Sequence, residues 1–327
     1  MNGQSKKYSW LGTVSAPQEY PVEIYKGALV ADDFIYGFDA GWGTQNPGWG
    51  NVGRMVSVKV EKMNLPHQLD FTWYSLTEKK FYTGKWNLNK EKIKSLLDAG
   101  FVDQDTRKWM TYNTFIVGLA PKGRVVLWAK GPKNQKEIGF FQAHDTLITK
   151  ENAIKDAQYM FKDGFADGAL YKVFKPELRK KIEEDGYPAE DSYETYRERY
   201  KWKPAVTLPE GAVWVDFGFI SYNGEEENLF AKSLKDNTYK ERAVPKSCGF
   251  YWRDKDKNRY TVWVDSFDEK EILNVFKKIG KDEEIDLAIK VNEDNTKVFI
   301  SLITEEGEIS LTQGKIKLSH KIKSVAD

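Results

Sequence analysis

Pro66-His67-Gln68-Leu69-Asp70-Phe71-Thr72-Trp73-Tyr74-Ser75 is answered 179 residues later by Pro245-Lys246-Ser247-Cys248-Gly249-Phe250-Tyr251-Trp252-Arg253. At the same offset Phe81 meets Tyr260, Leu88 meets Phe267, Asn89 meets Asp268 and Ile93 meets Ile272. One register thus spans a strand, a turn and a helix. At an offset of 171 Glu137, Ile138, Phe140 and Gln142 fall on Glu308, Ile309, Leu311 and Gln313. The second half reads as a duplicate of the first. Positions present in both copies are expected to serve the shared fold, and positions present in one copy to carry a specific task.

The quoted stretch opens a hairpin: Phe71 to Leu76 and Lys80 to Trp86 are aromatic and β-branched runs around Thr77-Glu78-Lys79. A helix follows, with Asn89 as N-cap, Ile93, Leu96 and Leu97 on one face, Leu88 as a staple and Gly100 as terminator. In the second copy Asp268 caps, Glu271 completes a capping box, Phe267 staples on Ile272, and Val275 and Phe276 continue the stripe. Strands are expected over Asn113 to Ala120 and Arg124 to Lys130 around Pro121-Lys122-Gly123, over Ile285 to Val291 and Lys297 to Ile303, and finally over Glu137 to Gln142 and Glu308 to Gln313.

The expected class is α+β, with two duplicated modules, each a twisted, mainly antiparallel sheet with one helix packed on a face and the other face free. The first module covers residues 8–145 and the second 206–320, joined by a charged helical connector over 146–205. Within the connector, Lys150 to Asp163, Pro176 to Asp185 and Ser192 to Tyr200 read as helices, with Pro204 as a stop. The connector reads as a solvated spacer.

Lys and Arg total 50 against 49 Asp and Glu, which leaves no basic field for nucleic acid. The single cysteine, Cys248, excludes an internal disulfide and a cysteine zinc cluster. Its register partner is Leu69, so it reads as a buried thiol rather than a nucleophile. No apolar run reaches the ~18 residues that span a bilayer. Asn2 to Lys7 reads as a polar tether ahead of a first strand at Tyr8 to Val14, and favours a chain whose targeting peptide has been removed over a cytoplasmic one.

The stretch Gly37-Phe38-Asp39-Ala40-Gly41-Trp42-Gly43-Thr44-Gln45-Asn46-Pro47-Gly48-Trp49-Gly50-Asn51-Val52-Gly53 has no counterpart in the second copy, where Gly218 to Phe230 carries the acidic centre Glu225-Glu226-Glu227. Phe38, Asp39, Trp42, Gln45, Asn46 and Trp49 are the candidate binding residues, with the two tryptophans offering broad apolar faces. Its competing reading is a loop folded back over its own core. It is no phosphate loop, since no Gly-Lys-Ser/Thr occurs and Met55 to Val60 alternates as a strand.

Asp254-x-Asp256-x-Asn258 opens like a calcium loop, yet Arg259 stands where glycine is required, and the register equates the stretch with a hairpin turn. His67, His144 and His320 are scattered, and no serine elbow is present. Glu137, Gln142, Glu308 and Gln313 read as edge or backbone-capping positions. No catalytic residue, metal or cofactor is expected.

Ala16-Pro17-Gln18-Glu19-Tyr20-Pro21-Val22, the Gly/Trp loop, Leu69 to Ser75 and Phe115 to Trp128 resemble an uncharacterised bacterial family, the domain of unknown function numbered 2931, over Trp10 to Ala143. The resemblance implies a lipoprotein-like protein of the cell envelope, anchored on its periplasmic side by a lipid, although the lipid-bearing cysteine is missing from this chain. It carries over no catalytic residues and implies an immunity-type partner of secreted toxins. The expected function is therefore non-enzymatic binding of a protein partner in the bacterial envelope. A carbohydrate-binding protein stacking sugars on Trp42 and Trp49 is the alternative, and a hydrolase of envelope material using Asp39 a more distant one.

Overall fold

A computed structural model of the chain describes residues 6–321. Of the expected tether, Asn2 to Ser5 lie outside the described residues, while Lys6 and Lys7 pair with Asp98 and Asp33. The chain divides into two units. The first runs up to Phe101 and takes in Met110–Tyr193; the second takes Val102–Trp109 and the chain from Glu194 onward. Both mix sheets and helices in an α+β arrangement.

In the first unit, strand Leu11–Ser15 pairs in parallel with Thr114–Ala120, which continues antiparallel through Arg124–Gly131 to Asn134–Gln142. A second set runs His144–Thr146, Lys80–Asn87, Gln68–Ser75, Val22–Val30 and Ile35–Asp39, all antiparallel. Between the two sets lies one core: Val117, Leu119, Val125 and Leu127 come from the first, and Ile24, Phe71, Trp73 and Tyr82 from the second. Helix Lys90–Ala99 adds Ile93 and Leu97 to it, each worth about 2 kcal/mol when fully buried. Asn89 accepts a hydrogen bond from the Lys92 amide at 2.9 Å, Leu88 is buried beside the cap, and Gly100 ends the helix at a φ of 51°.

The expected single sheet with one helix on a face and the other face free is corrected here: a second set of strands shares one core with the helix, and the opposite face, carrying Tyr25, Tyr74 and Phe81, is covered by Ala157 and Met160. The reason is the parallel pairing of Leu11–Ser15 with Thr114–Ala120, which takes the last hairpin out of the first sheet. Hydrophobic alternation marks a strand's inner face but does not say which sheet it joins. Tyr8 makes only an isolated bridge with Met63, so the first strand starts at Leu11 rather than Tyr8.

In the second unit Arg199–Thr207 pairs in parallel with Glu284–Val291, followed antiparallel by Val298–Thr304 and Gly307–Ser310. Lys240–Ala243 pairs antiparallel with the other side of Arg199–Thr207, and a further set runs Glu226–Phe230, Val213–Ser221, Pro245–Arg253, Arg259–Phe267 and Gly314–Lys321. Helix Glu269–Ile279 buries Ile272 and Phe276 against Phe250, Trp252 and Leu287. Asp268 caps it through the Glu271 amide. Glu271 does not close a capping box: its carboxylate accepts from the Thr312 and Gln313 amides, while the Asp268 amide turns to Gln313 O.

The region read as a solvated spacer is packed. A 3-10 segment, Lys155–Phe161, buries Ala157 and Met160, three residues apart as that helix requires, against Tyr25 and Phe81. The expected helix over Lys150 to Asp163 is thus replaced by this segment and by helix Phe165–Val173, divided at Gly164, whose φ of 69° interrupts helical geometry. Pro176–Asp185 is helical as expected. Only Ser192–Thr195 is helical in the stretch Ser192 to Tyr200, because Tyr200, Trp202 and Pro204 alternate inward on a strand.

Candidate functional site

The first three residues of the Gly/Trp stretch, Gly37 to Asp39, end strand Ile35–Asp39. The Asp39 carboxylate accepts from the Gly41 amide and caps the short 3-10 turn Ala40–Trp42. Phe38 and Trp42 both point inward, their rings 5.0 Å apart, and only 2% and 6% of their surfaces remain exposed. Neither ring is open to a ligand. Gln45 is buried too, its amide donating to Trp42 O at 2.8 Å, and the half-buried Asn46 reaches Gln18 O. Trp49 is half-buried, edge-on to Trp128 at 4.8 Å and to Tyr193 at 5.1 Å. Of the six candidates, Asp39 alone is exposed.

Beyond Trp49 the chain is neither strand nor helix, so the strand expected over Met55 to Val60 is absent. It is a strap, held by its main chain. Ser15 Oγ donates to Gly48 O at 2.8 Å, and the Gln135 amide donates to Gly50 O at 2.8 Å. Thr13 Oγ1 accepts from the Gly53 amide and donates to Arg54 O; Tyr36 Oη accepts from the Val56 amide and donates to Val56 O. At Gly53 a Cβ would sit 2.3 Å from Val14 O, so this close approach admits only glycine. The alternation of Met55 to Val60 is real, but hydroxyls from neighbouring strands replace the ladder partners it implies. With the main chain turned to those hydroxyls, Met55, Val56 and Val60 are exposed, each close to half.

A carboxyl lies beneath the loop. Glu23 is buried, accepting from Thr44 Oγ1 at 2.6 Å and lying 2.5 Å from Tyr159 Oη, which is also 3.0 Å from Ala40 O. Burial pushes its pKa up against the opposing hydrogen bonds from Thr44 and Tyr159. One hydroxyl proton cannot serve both Glu23 and Ala40 O. The Tyr159 hydroxyl thus lies between two acceptors, Glu23 and Ala40 O, while burial favours the neutral form of the carboxyl. Sequence reasoning missed Glu23, Thr13, Tyr36 and the outward strap residues. Thr13, Ser15 and Glu23 at inward strand positions were the available signal, because polar side chains there must find partners.

Asp39 caps a turn and Glu23 is sealed, so the two carboxyl groups beside the loop do not converge on an open cleft. Elsewhere Asp254 accepts from the Asp256 and Asn258 amides and shapes a hairpin turn. Cys248 is buried, which pushes its thiol pKa well above the ordinary value. The acidic centre of the second unit is also internal: Glu227 makes a two-pronged pair with the buried Arg242, and Glu225 meets Arg199 at 2.9 Å. Gln142 donates to Lys122 O and Ala143 O, a backbone-capping role.

The fold and this site define a two-unit α+β protein with a pinned surface strap. The model of the family described as "Protein of unknown function (DUF2931)" matches residues 1–190, more than half of the chain, and the chain belongs to that family. No curated protein and no solved structure matches it. Among the described residues no helix is long and apolar enough to cross a membrane.

Proposed function

We propose that this protein is a non-enzymatic binding protein of the bacterial cell envelope, an immunity-type protein that takes a protein partner on the strap. The carrying observation is the strap itself, a main chain fixed by Thr13, Ser15, Tyr36 and Gln135 that presents Met55, Val56 and Val60 outward. A surface already ordered loses little entropy on binding, and exposed Met and Val supply apolar contact. The test is photo-crosslinking from position 56 in envelope extract. A single protein adduct that disappears on Met55→Asp supports the reading; no adduct, together with binding on a glycan array, replaces it with the carbohydrate alternative.

The envelope location belongs to the same proposal, with a lipid as the anchor. Cell fractionation checks it, and recovery with the soluble cytoplasmic fraction would count against it. We further propose that the two units are copies of one duplicated module. Support comes from the sequence register and from the strand orders, which correspond from Leu11–Ser15 with Arg199–Thr207 to His144–Thr146 with Gly314–Lys321 apart from two short strands, Thr44–Gln45 and Lys240–Ala243. The paired positions Phe71 and Phe250 are both buried, as are Leu69 and Cys248.

A further inference from the structure

Strand His144–Thr146 ends the sheet order of its set. His144 faces Thr83, Asp145 faces Tyr82 and Thr146 faces Phe81, and among the described residues no strand pairs with its other side. His144 and Asp145 are exposed, and Leu147, the next residue, is 88% exposed. This edge has a cleft on each face of the sheet. On the Tyr82 face lies a polar cleft of about 610 Å³ lined by Glu78, Lys80, Tyr82, Lys122, Asp145 and Glu190. On the Phe81 face lies a groove of about 330 Å³ lined by Tyr74, Phe81, Leu147, Ile148, Met160 and Phe161, with Lys79 beside them and Lys80 and Asp145 shared with the polar cleft.

The polar cleft has negative charge to spare. Lys122 is turned to Asp191 at 2.9 Å, held there by a main chain at a φ of 60° whose amide donates to Glu78. Glu78 also accepts from Tyr82 Oη and Ser75 Oγ, neutral donors that leave its charge uncompensated. Lys122 also lies 3.7 Å from the Glu190 carboxylate, so it is Glu78 and Asp145 that face the cleft against Lys80. The Tyr82 hydroxyl records this field: burial raises its pKa first, then the Glu78 hydrogen bond and charge, then the charges of Asp145 and Glu190.

We propose that this edge binds an extended peptide by strand addition, with basic side chains entering the polar cleft and large apolar side chains entering the groove. A strand laid along His144–Leu147 makes main-chain hydrogen bonds to the open edge, and its side chains alternate between the two faces of the sheet. The carboxylates Glu78 and Asp145 on one side and the apolar side chains Leu147, Ile148, Met160 and Phe161 on the other therefore select alternating basic and apolar residues. The site is separate from the strap and does not depend on the partner proposed for it.

The probe is acetyl-Arg-Leu-Arg-Phe-Arg-Val-amide added to the full chain, read by fluorescence anisotropy and by hydrogen exchange at amides 144–147. Binding with slowed exchange at those amides is expected. Affinity should fall by about tenfold or more with Glu in place of Arg, with every second peptide amide N-methylated, or with Asp145→Lys or Leu147→Asp in the protein. Met55→Asp in the strap should leave it unchanged. Equal binding of the N-methylated or the Glu peptide, insensitivity to Asp145→Lys, or no binding at millimolar peptide overturns the proposal. So does sedimentation as a dimer that Asp145→Lys dissociates and the peptide does not, since a second copy then fills the edge.

Discussion

Glu23 shows how one residue couples burial to pH. Its neutral form suits the buried site, so the native state holds the proton more tightly than the unfolded chain does. The stability this gives is fully present at acid pH and is lost as pH rises from the ordinary glutamate range through the raised native value. Urea unfolding at about pH 5 and about pH 8 should therefore show a decline for the native protein that Glu23→Gln largely removes, since the amide keeps the side chain's shape and an acceptor oxygen but does not titrate. Trp42 and Trp49 part company at this scale. Trp42→Ala opens a cavity in the core and should cost about 3–5 kcal/mol, measured by the same unfolding. Trp49→Ala, at a half-buried ring, should cost about 1–2 kcal/mol. A smaller loss at Trp42 than at Trp49 would contradict the packing described. The sequence marks both tryptophans as special to one copy, but only packing against Phe38 separates the buried ring from the half-buried one.

Among the elements, those with local signals were legible. Asn89 and Asp268 cap their helices because a short acceptor side chain before an amphipathic run needs no distant partner. Asp268→Ala should cost about 1 kcal/mol. Glu271→Ala should cost more, because it strips acceptors from the Thr312 and Gln313 amides as well; equal losses would argue against that tie. The strap was not legible, since the hydroxyls that hold it lie far back in the sequence, at Thr13, Ser15 and Tyr36. Thr13→Val leaves Gly53 N and Arg54 O without their partner, at about 1–3 kcal/mol. Trypsin should then cut at Arg54 or Lys59 well before the rest of the chain, and unchanged digestion would show that the strap does not depend on Thr13. The spacer was misread for a related reason: Ala157 and Met160 are buried by Tyr25 and Phe81, which local charge density cannot reveal.

In the molecule as a whole, each unit carries its own core. Phe71 and Phe250 stand at positions that the proposed duplication pairs, each buried with a tryptophan two residues on, Trp73 and Trp252. Phe71→Ala and Phe250→Ala should each cost about 3–5 kcal/mol, read by hydrogen exchange in the unit that holds the substitution. A negligible loss at either one would undermine the duplicated-module reading. The two-layer architecture depended on which distant strand Leu11–Ser15 and Arg199–Thr207 each meet, a choice that local pattern does not encode. Cys248 gives the second unit a built-in clock. It is the chain's only thiol and it is sealed inside that core, so a thiol reagent can reach it only when the surrounding strands part. The labelling rate of the unaltered protein therefore times the opening of one half of the molecule, with no probe introduced.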